Sequence, residues 1–140
     1  MSTRQNSLFV LALLVVFLAG CGGSVTPSIS DETQIKNRIG QYFAAISAKD
    51  WELAKSCCYP GSEAYLYTEQ AEATVTSLPQ YDDAIIWVAA AIHSIDIRGN
   101  EATVDLDIWE QIYSQGRYEE ITVPGSVILI KSGREWYLYY

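Results

Sequence analysis

A strict alternation of residue types between positions 102 and 109 constrains the fold of this chain more than any other feature of its sequence. Polar or aromatic residues occupy the odd positions: Thr103, Asp105, Asp107 and Trp109. Aliphatic residues occupy the even positions: Ala102, Val104, Leu106 and Ile108. Because the side chains of a β-strand point alternately to its two faces, a period of two indicates a strand with one buried face. We therefore predict a strand whose aliphatic residues face the core and whose odd positions face outward.

Further strands are predicted on both sides of this one. Residues 85–97 are rich in Ile, Val, Trp and Ala and are strand-like. A third strand is predicted at 121–130, with a bend or bulge near Pro124 and Gly125, and a last strand at 135–140. Turn residues separate the strands at 98–100, 114–117 and 131–134. This order predicts an antiparallel meander.

The first half of the chain has helical periodicity instead. A helix is predicted to begin at Ser30 or Asp31, either of which can cap it. Its apolar residues fall on one stripe: Ile35, Ile39, Tyr42, Phe43 and Ile46. Asp50 is predicted to cap a second, short helix. Helices followed by an antiparallel meander indicate an α+β fold, with the N-terminal helices packed on a curved antiparallel sheet.

The segment at 62–83 is ambiguous. Residues 69–78 are predicted to form a helix that Pro79 ends. Tyr65 and Tyr67 fit an irregular loop equally well.

The N-terminal segment has the order of a secretory signal. Arg4 is the only charged residue before Cys21, an apolar run occupies residues 8–18, and small residues follow it. The run is shorter than the ~20 residues that span a bilayer as a helix. The ending Leu-Ala-Gly-Cys resembles the lipobox of bacterial lipoproteins, in which cleavage precedes the cysteine and its thiol carries a diacylglycerol. The alternative is an ordinary signal peptide with an incidental cysteine.

This resemblance implies a location and a division of the chain. Residues 1–20 are expected to be removed as the signal peptide. Residues 21–33 are expected to provide the lipidated Cys21 and a flexible tether, and residues 34–140 one domain. The protein is expected to be lipid-anchored at the extracytoplasmic face of the cell membrane or envelope. At 49% hydrophobic, the chain has enough apolar residues for a proper core.

The charge of the chain excludes one class of partner. Nine basic and 17 acidic residues give a net charge of −8, and removal of Arg4 with the signal leaves −9. Nucleic-acid phosphates need Lys and Arg, so no nucleic acid is expected as a partner. The same charge argues against a domain held on anionic lipid by its own charge. Attachment is therefore expected to come from the acyl chains on Cys21.

The cysteines and the histidine do not indicate a metal site. Cys57 and Cys58 are adjacent, so they cannot join distant segments. As a disulfide they would form a strained, reducible ring and act as a redox switch, whereas as thiols they would pack as two small apolar residues at a helix end. With a single histidine, His93, and no spaced set of Cys and His residues, no metal is expected. No Gly-rich phosphate loop is present, and no cofactor is expected.

Three stretches of the chain resemble the nuclear transport factor 2-like superfamily, also called the cone-shaped α+β barrel. They are residues 39–46 leading to 49–54, then 95–104, then 127–131 followed by 135–138. The resemblance covers about residues 34–140 and implies a pocket enclosed by helices and sheet and open at one end. Many members dimerise through the sheet. Members include enzymes resembling ketosteroid isomerase, polyketide cyclases, ligand binders and purely associative domains.

No residue is predicted to be catalytic. An isomerase of that superfamily needs a pocket carboxylate as the base, with hydrogen-bond donors at the developing oxyanion. Asp105 and Asp107 are predicted to face outward, away from any pocket. His93, next to Ser94, has no clear acidic third member. The remaining candidates are interpreted as residues of turns, caps or the sheet surface: Asp82, Asp83 and Asp96.

Aromatic residues are the other resource, because ten Tyr and four Trp exceed what so small a core requires. Six aromatic residues are predicted to line an apolar pocket for a small ligand, with core packing as the alternative: Tyr42, Phe43, Trp51, Tyr65, Trp87 and Trp136. Four more are predicted to form an exposed patch for a homodimer or another partner, with plain sheet-surface pairing as the alternative: Trp109, Tyr113, Tyr137 and Tyr139.

These observations lead to one prediction of function and two alternatives. The chain is predicted to be a lipid-anchored protein whose domain binds an apolar small ligand or a protein partner without catalysis. An enzyme that uses the same cavity is the first alternative. A scaffold that acts only through the face of its sheet is the second.

Overall fold

The computed structural model describes residues 29–140, so the predicted signal peptide and Cys21 lie outside the described part of the chain. The helices and strands are α1 (Asp31–Ser47), α2 (Trp51–Ser56), α3 (Glu63–Ser77), a 3-10 turn (Pro79–Tyr81), β1 (Ile85–Arg98), β2 (Glu101–Ser114), β3 (Arg117–Ser132) and β4 (Glu135–Leu138). The strands form one antiparallel sheet in the order β1-β2-β3-β4. The predicted α+β class, with helices packed on a curved antiparallel sheet, is confirmed.

A side chain caps the first turn of each α-helix. In every case the capping oxygen accepts a hydrogen bond from a backbone N–H three residues later, which satisfies a group that the helix itself leaves unpaired. The pairs are Ser30 with Thr33 at 3.2 Å, Asp50 with Leu53 at 3.1 Å, and Ser62 with Tyr65 at 3.2 Å. The caps predicted at Ser30 and Asp50 are therefore confirmed.

The third helix is longer than the sequence predicts. It begins at Glu63 instead of residue 69, so Tyr65 and Tyr67 are helical and do not lie in a loop. Within α3 only Thr68 is buried, so the helix has no marked apolar stripe that would signal its start. The cap at Ser62 was the available signal for its start.

The sheet has a β-bulge in β1, whereas the sequence predicted a bend or bulge in the third strand. The register of β1 against β2 shifts between Ile92 and Ser94, which leaves His93 as the extra residue of a bulge. Of the bend or bulge expected near Pro124 and Gly125, the bulge is wrong, because the pairing of β3 with β2 runs through both residues without a shift. Here β3 pairs on one side only, so the missing N–H of a proline breaks no ladder.

The core lies between α1 and the concave face of the sheet. Ile35 and Ile39 of α1 are buried in one cluster with aliphatic residues of the sheet, and α1 itself packs on β1 and β4. The even positions of β2 contribute as predicted, since Ala102, Val104 and Leu106 are almost completely buried. Burial of such side chains is the main stabilising contribution, at roughly 25 cal/mol per Å² of apolar surface.

The two ends of the sheet are about 40 Å apart, given the 14 residues of β2. At the end that we call proximal, the turns at 98–100 and 131–134 are adjacent, and the N–H of Lys131 donates to the carbonyl of Asn100 at 2.8 Å. The start of α1 lies there too, because the Asp31 carboxylate accepts from Lys131 and Trp136. The turn between β2 and β3 marks the opposite, distal end.

Among residues 29–140, no helix is long and apolar enough to cross a membrane.

Candidate functional site

The concave face of the sheet is uncovered toward the distal end. Ile121 and Val123 of β3 are 54% and 44% exposed, although they pair with Glu110 and Ile108 of β2 on the same face as the core. Ile108 and Ile112 are partly buried beside them. We call this surface the distal concavity, and it consists of Ile108, Glu110, Ile112, Ile121 and Val123. It is an open apolar surface, of the kind that binds apolar molecules.

Polar groups surround the distal end of this surface. A cavity of about 300 Å³ lies between the 3-10 turn and the hairpin of β2 and β3. Its lining is mixed: Gln80, Tyr81, Ile112, Ser114, Gln115, Arg117 and Glu119. The Ser114 hydroxyl donates to the carbonyl of Gln80, so the turn is attached to the end of the sheet. An apolar molecule on the concavity would therefore find hydrogen-bonding groups at one end.

Glu110 is a carboxylate that the sequence prediction missed. It lies two positions beyond Ile108, so the alternation of β2 places it on the concave face, between Val88 of β1 and Ile121 of β3. Its side chain is partly buried. The prediction followed the period of two only as far as Ile108, and extending it by one step would have found this residue.

A buried hydrogen-bonded group occupies the space between α1, α2 and α3. The Tyr42 hydroxyl lies 3.0 Å from Oγ1 of Thr68, which itself donates to the carbonyl of Ala64 at 2.7 Å. Burial raises the pKa of Tyr42 to about 12, so its hydroxyl stays neutral and donates to Thr68. Tyr42 is therefore already paired inside the core.

The two cysteines belong to the same buried region. Cys57 and Cys58 are free thiols with 0% and 2% exposure. Burial raises the pKa of Cys58 to about 11 and raises the pKa of Cys57 as well. A thiol of raised pKa and no exposure is a poor nucleophile, so these residues behave as small apolar side chains at the end of α2.

The structure does not bring the six predicted pocket aromatics together around one cavity. Tyr42, Trp51 and Trp136 are buried in packed surroundings, and Tyr65 is partly buried. Phe43 and Trp87 line a groove of about 620 Å³ between α1 and β1. Trp87 is 46% exposed and lies on the convex face, because the register pairs it with Gln111.

The predicted interface residues form two separate groups on the convex face. Trp109 and Tyr113 are 44% and 50% exposed, and the register places three more exposed residues beside them: Ile85, Trp87 and Tyr118. We call these five the convex patch. Tyr137 and Tyr139 contact Tyr59 instead, with ring centroids 6.4 Å and 6.2 Å apart. Tyr137 pairs with Ile130 of β3, which pairs with Glu101 of β2. Glu101 is eight residues from Trp109 along β2, so Tyr137 lies about 26 Å along the sheet from Trp109.

His93 has the acidic partner that the sequence did not reveal. Its Nε2 lies 3.0 Å from Oδ2 of Asp107, and the Ser94 hydroxyl donates to Asp105 at 2.9 Å. His93 is the extra residue of the bulge in β1, and its imidazole contacts the neighbouring strand β2. Ser94 bonds Asp105 and not the imidazole, so the arrangement is not that of an activated serine. Asp105 and Asp107 lie on the convex face, as the alternation predicts.

Among residues 29–140, no group of three or more His, Cys, Asp or Glu side chains is placed to hold a metal ion.

Comparison with known proteins identifies the fold. No protein-family model matches the chain, and no curated protein sequence does. Solved structures do match. A conserved protein from Planctomyces limnophilus has a TM-score of 0.64 at 18% identity, with 78% of this chain and 91% of that chain covered. A nuclear transport factor 2-like protein from Streptomyces avermitilis, named as a dehydratase, has a TM-score of 0.57 at 13% identity over 78% and 92%.

A third structure contains a bound compound. A protein from Catenulispora acidiphila, solved in complex with S-DNPA, has a TM-score of 0.62 at 9% identity over 77% of this chain and 87% of that chain. The fold is nuclear transport factor 2-like. At these identities the likeness shows the fold alone, since one fold of this kind supports several functions.

Proposed function

We propose that this chain is a lipid-anchored envelope protein whose domain binds an apolar small molecule on the distal concavity. The observation that carries the proposal is the exposure of Ile121 and Val123 on the same face as the core. Elsewhere on that face α1 covers the sheet, whereas here the apolar surface is open. A bound molecule would remove this surface from water.

The anchor is supported by the sequence that precedes the domain. The order of a basic start, an apolar run and Leu-Ala-Gly-Cys is that of a lipoprotein signal, and it ends at Cys21. Seven residues then separate Cys21 from Ile29, so an anchored domain would lie near the bilayer surface.

A protein partner is the second part of the proposal, and it concerns the convex patch. Exposed aromatic residues on three adjacent strands are typical of the centre of a protein interface. We propose a second copy of the chain as the partner. The patch forms a continuous surface on the convex face, and such a surface can pack on its own copy across a twofold axis.

An enzyme is the alternative that one observation favours. Glu110 places a carboxylate within the concavity, next to apolar residues, where a base would contact a bound substrate. The buried Tyr42 is already paired with Thr68 and does not supply an oxyanion donor. The position of Glu110 in the concavity suits proton abstraction from a bound substrate. The binding proposal does not require Glu110.

A native mass spectrum of the chain from Gly22 to Tyr140 tests the binding proposal. We expect an added small-molecule mass that is released on activation. Ile121→Thr together with Val123→Thr should remove that mass with little loss of stability, because both side chains are already exposed. Ile85→Thr is the matched control, since Ile85 is 67% exposed on the convex face. A bare wild-type protein, or equal loss in the control, contradicts the proposal.

Glu110→Gln separates the two functions once a ligand is known. If the chain only binds, the variant keeps the ligand mass and the ligand remains chemically unchanged in both proteins. If the chain is an enzyme, the wild type converts the ligand and the variant does not.

A further inference from the structure

We propose that the domain stands on the anionic surface of the bilayer with its proximal end toward the lipid and its distal concavity open to water. This inference rests on the proposed lipid anchor. It also deepens the binding proposal, because it makes the ligand an apolar solute that arrives through the aqueous compartment, not a lipid drawn from the bilayer.

The point of attachment lies at the proximal end. Ile29 lies two residues before the start of α1, and the Asp31 carboxylate accepts from Lys131 Nζ at 2.6 Å and from Trp136 Nε1 at 3.0 Å. These contacts fix the start of α1 to the turn between β3 and β4. The segment from Cys21 to Ile29 spans at most about 28 Å when fully extended. An anchor on Cys21 would therefore keep the proximal end within about 28 Å of the bilayer surface, whereas the distal end is about 40 Å further along the sheet.

Charge is distributed unequally between the two ends. The proximal end, taken as residues 29–38, 96–101 and 131–135, carries five basic and five acidic residues. The remainder of the described chain carries three basic and 12 acidic residues. Four of the five proximal basic side chains are in ion pairs: Lys36 with Glu32 at 2.6 Å, Arg38 with Glu135 at 3.9 Å, Arg98 with Asp96 at 2.7 Å, and Lys131 with Asp31 at 2.6 Å.

An anionic bilayer distinguishes these two ends. The field of its headgroups falls off over a Debye length, about 8 Å at physiological ionic strength. The charges of the proximal end sum to zero, and the nine excess negative charges belong to the rest of the domain, which lies farther from the lipid when the proximal end faces it. A domain tipped onto its distal end or its acidic side would bring those charges into the field and be repelled. The proximal orientation is therefore favoured without any basic patch.

The orientation determines how a ligand reaches the concavity. Ile121 and Val123 lie in the distal half of β3, which points away from the bilayer when the proximal end faces it. The polar cavity around Ser114 and Arg117 is then the part of the domain farthest from the lipid. A lipid tail would have to cross tens of ångströms of water to reach this surface, so a water-borne solute suits it better.

Fluorescence quenching from the bilayer surface tests the orientation on the full chain. The chain is purified from bacterial membranes and placed in vesicles of equal parts phosphatidylcholine and phosphatidylglycerol, with a nitroxide on some headgroups. A thiol-reactive fluorophore is attached to Ser132→Cys at the proximal end or to Ser77→Cys at the distal end of α3. Both serines are exposed, and Cys57 and Cys58 are buried, so the unsubstituted chain gives the background.

We expect the label at position 132 to be quenched several-fold more than the label at position 77. The difference should shrink at high salt and in vesicles of phosphatidylcholine alone. Equal quenching at the two positions, or stronger quenching at 77, overturns the orientation and leaves the anchor intact. A chain that does not float with the vesicles, and whose Cys21 peptide has no added diacylglycerol mass, overturns the anchor and the orientation together. Ligand binding, measured by native mass spectrometry, is independent of both results.

Discussion

At the scale of single residues, Asp31 makes the fold sensitive to acid. Its hydrogen bonds from Lys131 and Trp136 lower the pKa of its carboxyl below the ordinary value of 3.8. A lowered pKa in the folded protein means that the stabilisation is complete above the ordinary value and is lost as the pH falls through the folded value. Asp31→Asn should therefore be less stable than the wild type at pH 6, and the difference should shrink as the pH falls below 3.8.

Urea unfolding at a series of pH values measures this effect. Glu32→Gln is the matched control, because Glu32 lies in the same helical turn and its ion pair with Lys36 is exposed. The control should follow the wild type across the whole range. A pH-independent difference for Asp31→Asn would show that the carboxylate is not the acid-sensitive group.

Thr68 supports a second prediction at this scale. Its hydroxyl is fully buried and is the partner of Tyr42. Thr68→Val keeps the shape but leaves the Tyr42 hydroxyl without that partner, which should lower the free energy of unfolding by about 1–3 kcal/mol. Thr74→Val is the control, because Thr74 is exposed on the same helix and its hydroxyl contacts only the Gln70 carbonyl. Equal losses in the two variants would contradict the role of the buried pair.

At the scale of elements, the free edge of β1 is protected by α1. Ser47 Oγ accepts from the N–H of Val88 at 2.8 Å and lies 3.2 Å from the carbonyl of Val88. Unpaired edge strands promote association between sheets, and residues 85–92 of β1 are apolar. Ser47→Ala should therefore cost about 1–3 kcal/mol of stability and increase aggregation on heating.

Light scattering during a thermal ramp, together with urea unfolding, checks this prediction. Ser56→Ala is the control, since Ser56 is exposed and its hydroxyl donates to the Leu53 carbonyl within its own helix, away from the edge of β1. Aggregation that rises equally in the two variants would mean that Ser47 does not protect the edge.

The elements also show what the sequence could and could not predict. The cap at Ser30 and the apolar stripe made α1 predictable, and the alternation of residue types made β2 predictable. Both signals lie within the element itself. The start of α3 was missed since Thr68 alone is buried within that helix. The bulge at His93 was missed because no glycine or proline marks it. Pro124 suggested a bulge that the one-sided pairing of β3 makes unnecessary.

The candidate site was harder to predict for a related reason. Which aromatic residues share a cavity depends on the register between strands and on how α1 crosses the sheet, and neither is visible in local periodicity. Trp87 illustrates this, because it follows the apolar pattern of β1 but lies on the convex face. Glu110 was predictable, since the phase of β2 continues unchanged to that position.

At the scale of the whole molecule, the two faces of the sheet have different roles in our proposals. The concave face carries the core and the ligand surface, while the convex face carries exposed aromatic residues that the core does not need. Changes on the convex face should therefore alter association and leave the fold in place. The free energy lost by removing cross-strand aromatic pairs is about 0.2–1 kcal/mol for each pair.

Trp109→Ser combined with Tyr113→Ser tests this separation of roles. If a second copy packs on the convex patch, the double variant should shift sedimentation from dimer to monomer and keep a cooperative unfolding transition. The matched control is Tyr59→Ser with Tyr139→Ser, which removes two exposed rings from the other aromatic group. The control should keep the dimer, because Tyr139 is aligned with Thr103 through Ile128 and so lies about 20 Å along the sheet from Trp109. Unfolding of the double variant would show that Trp109 and Tyr113 belong to the core. A wild-type protein that sediments as a monomer would contradict the proposal that a second copy packs on the convex patch.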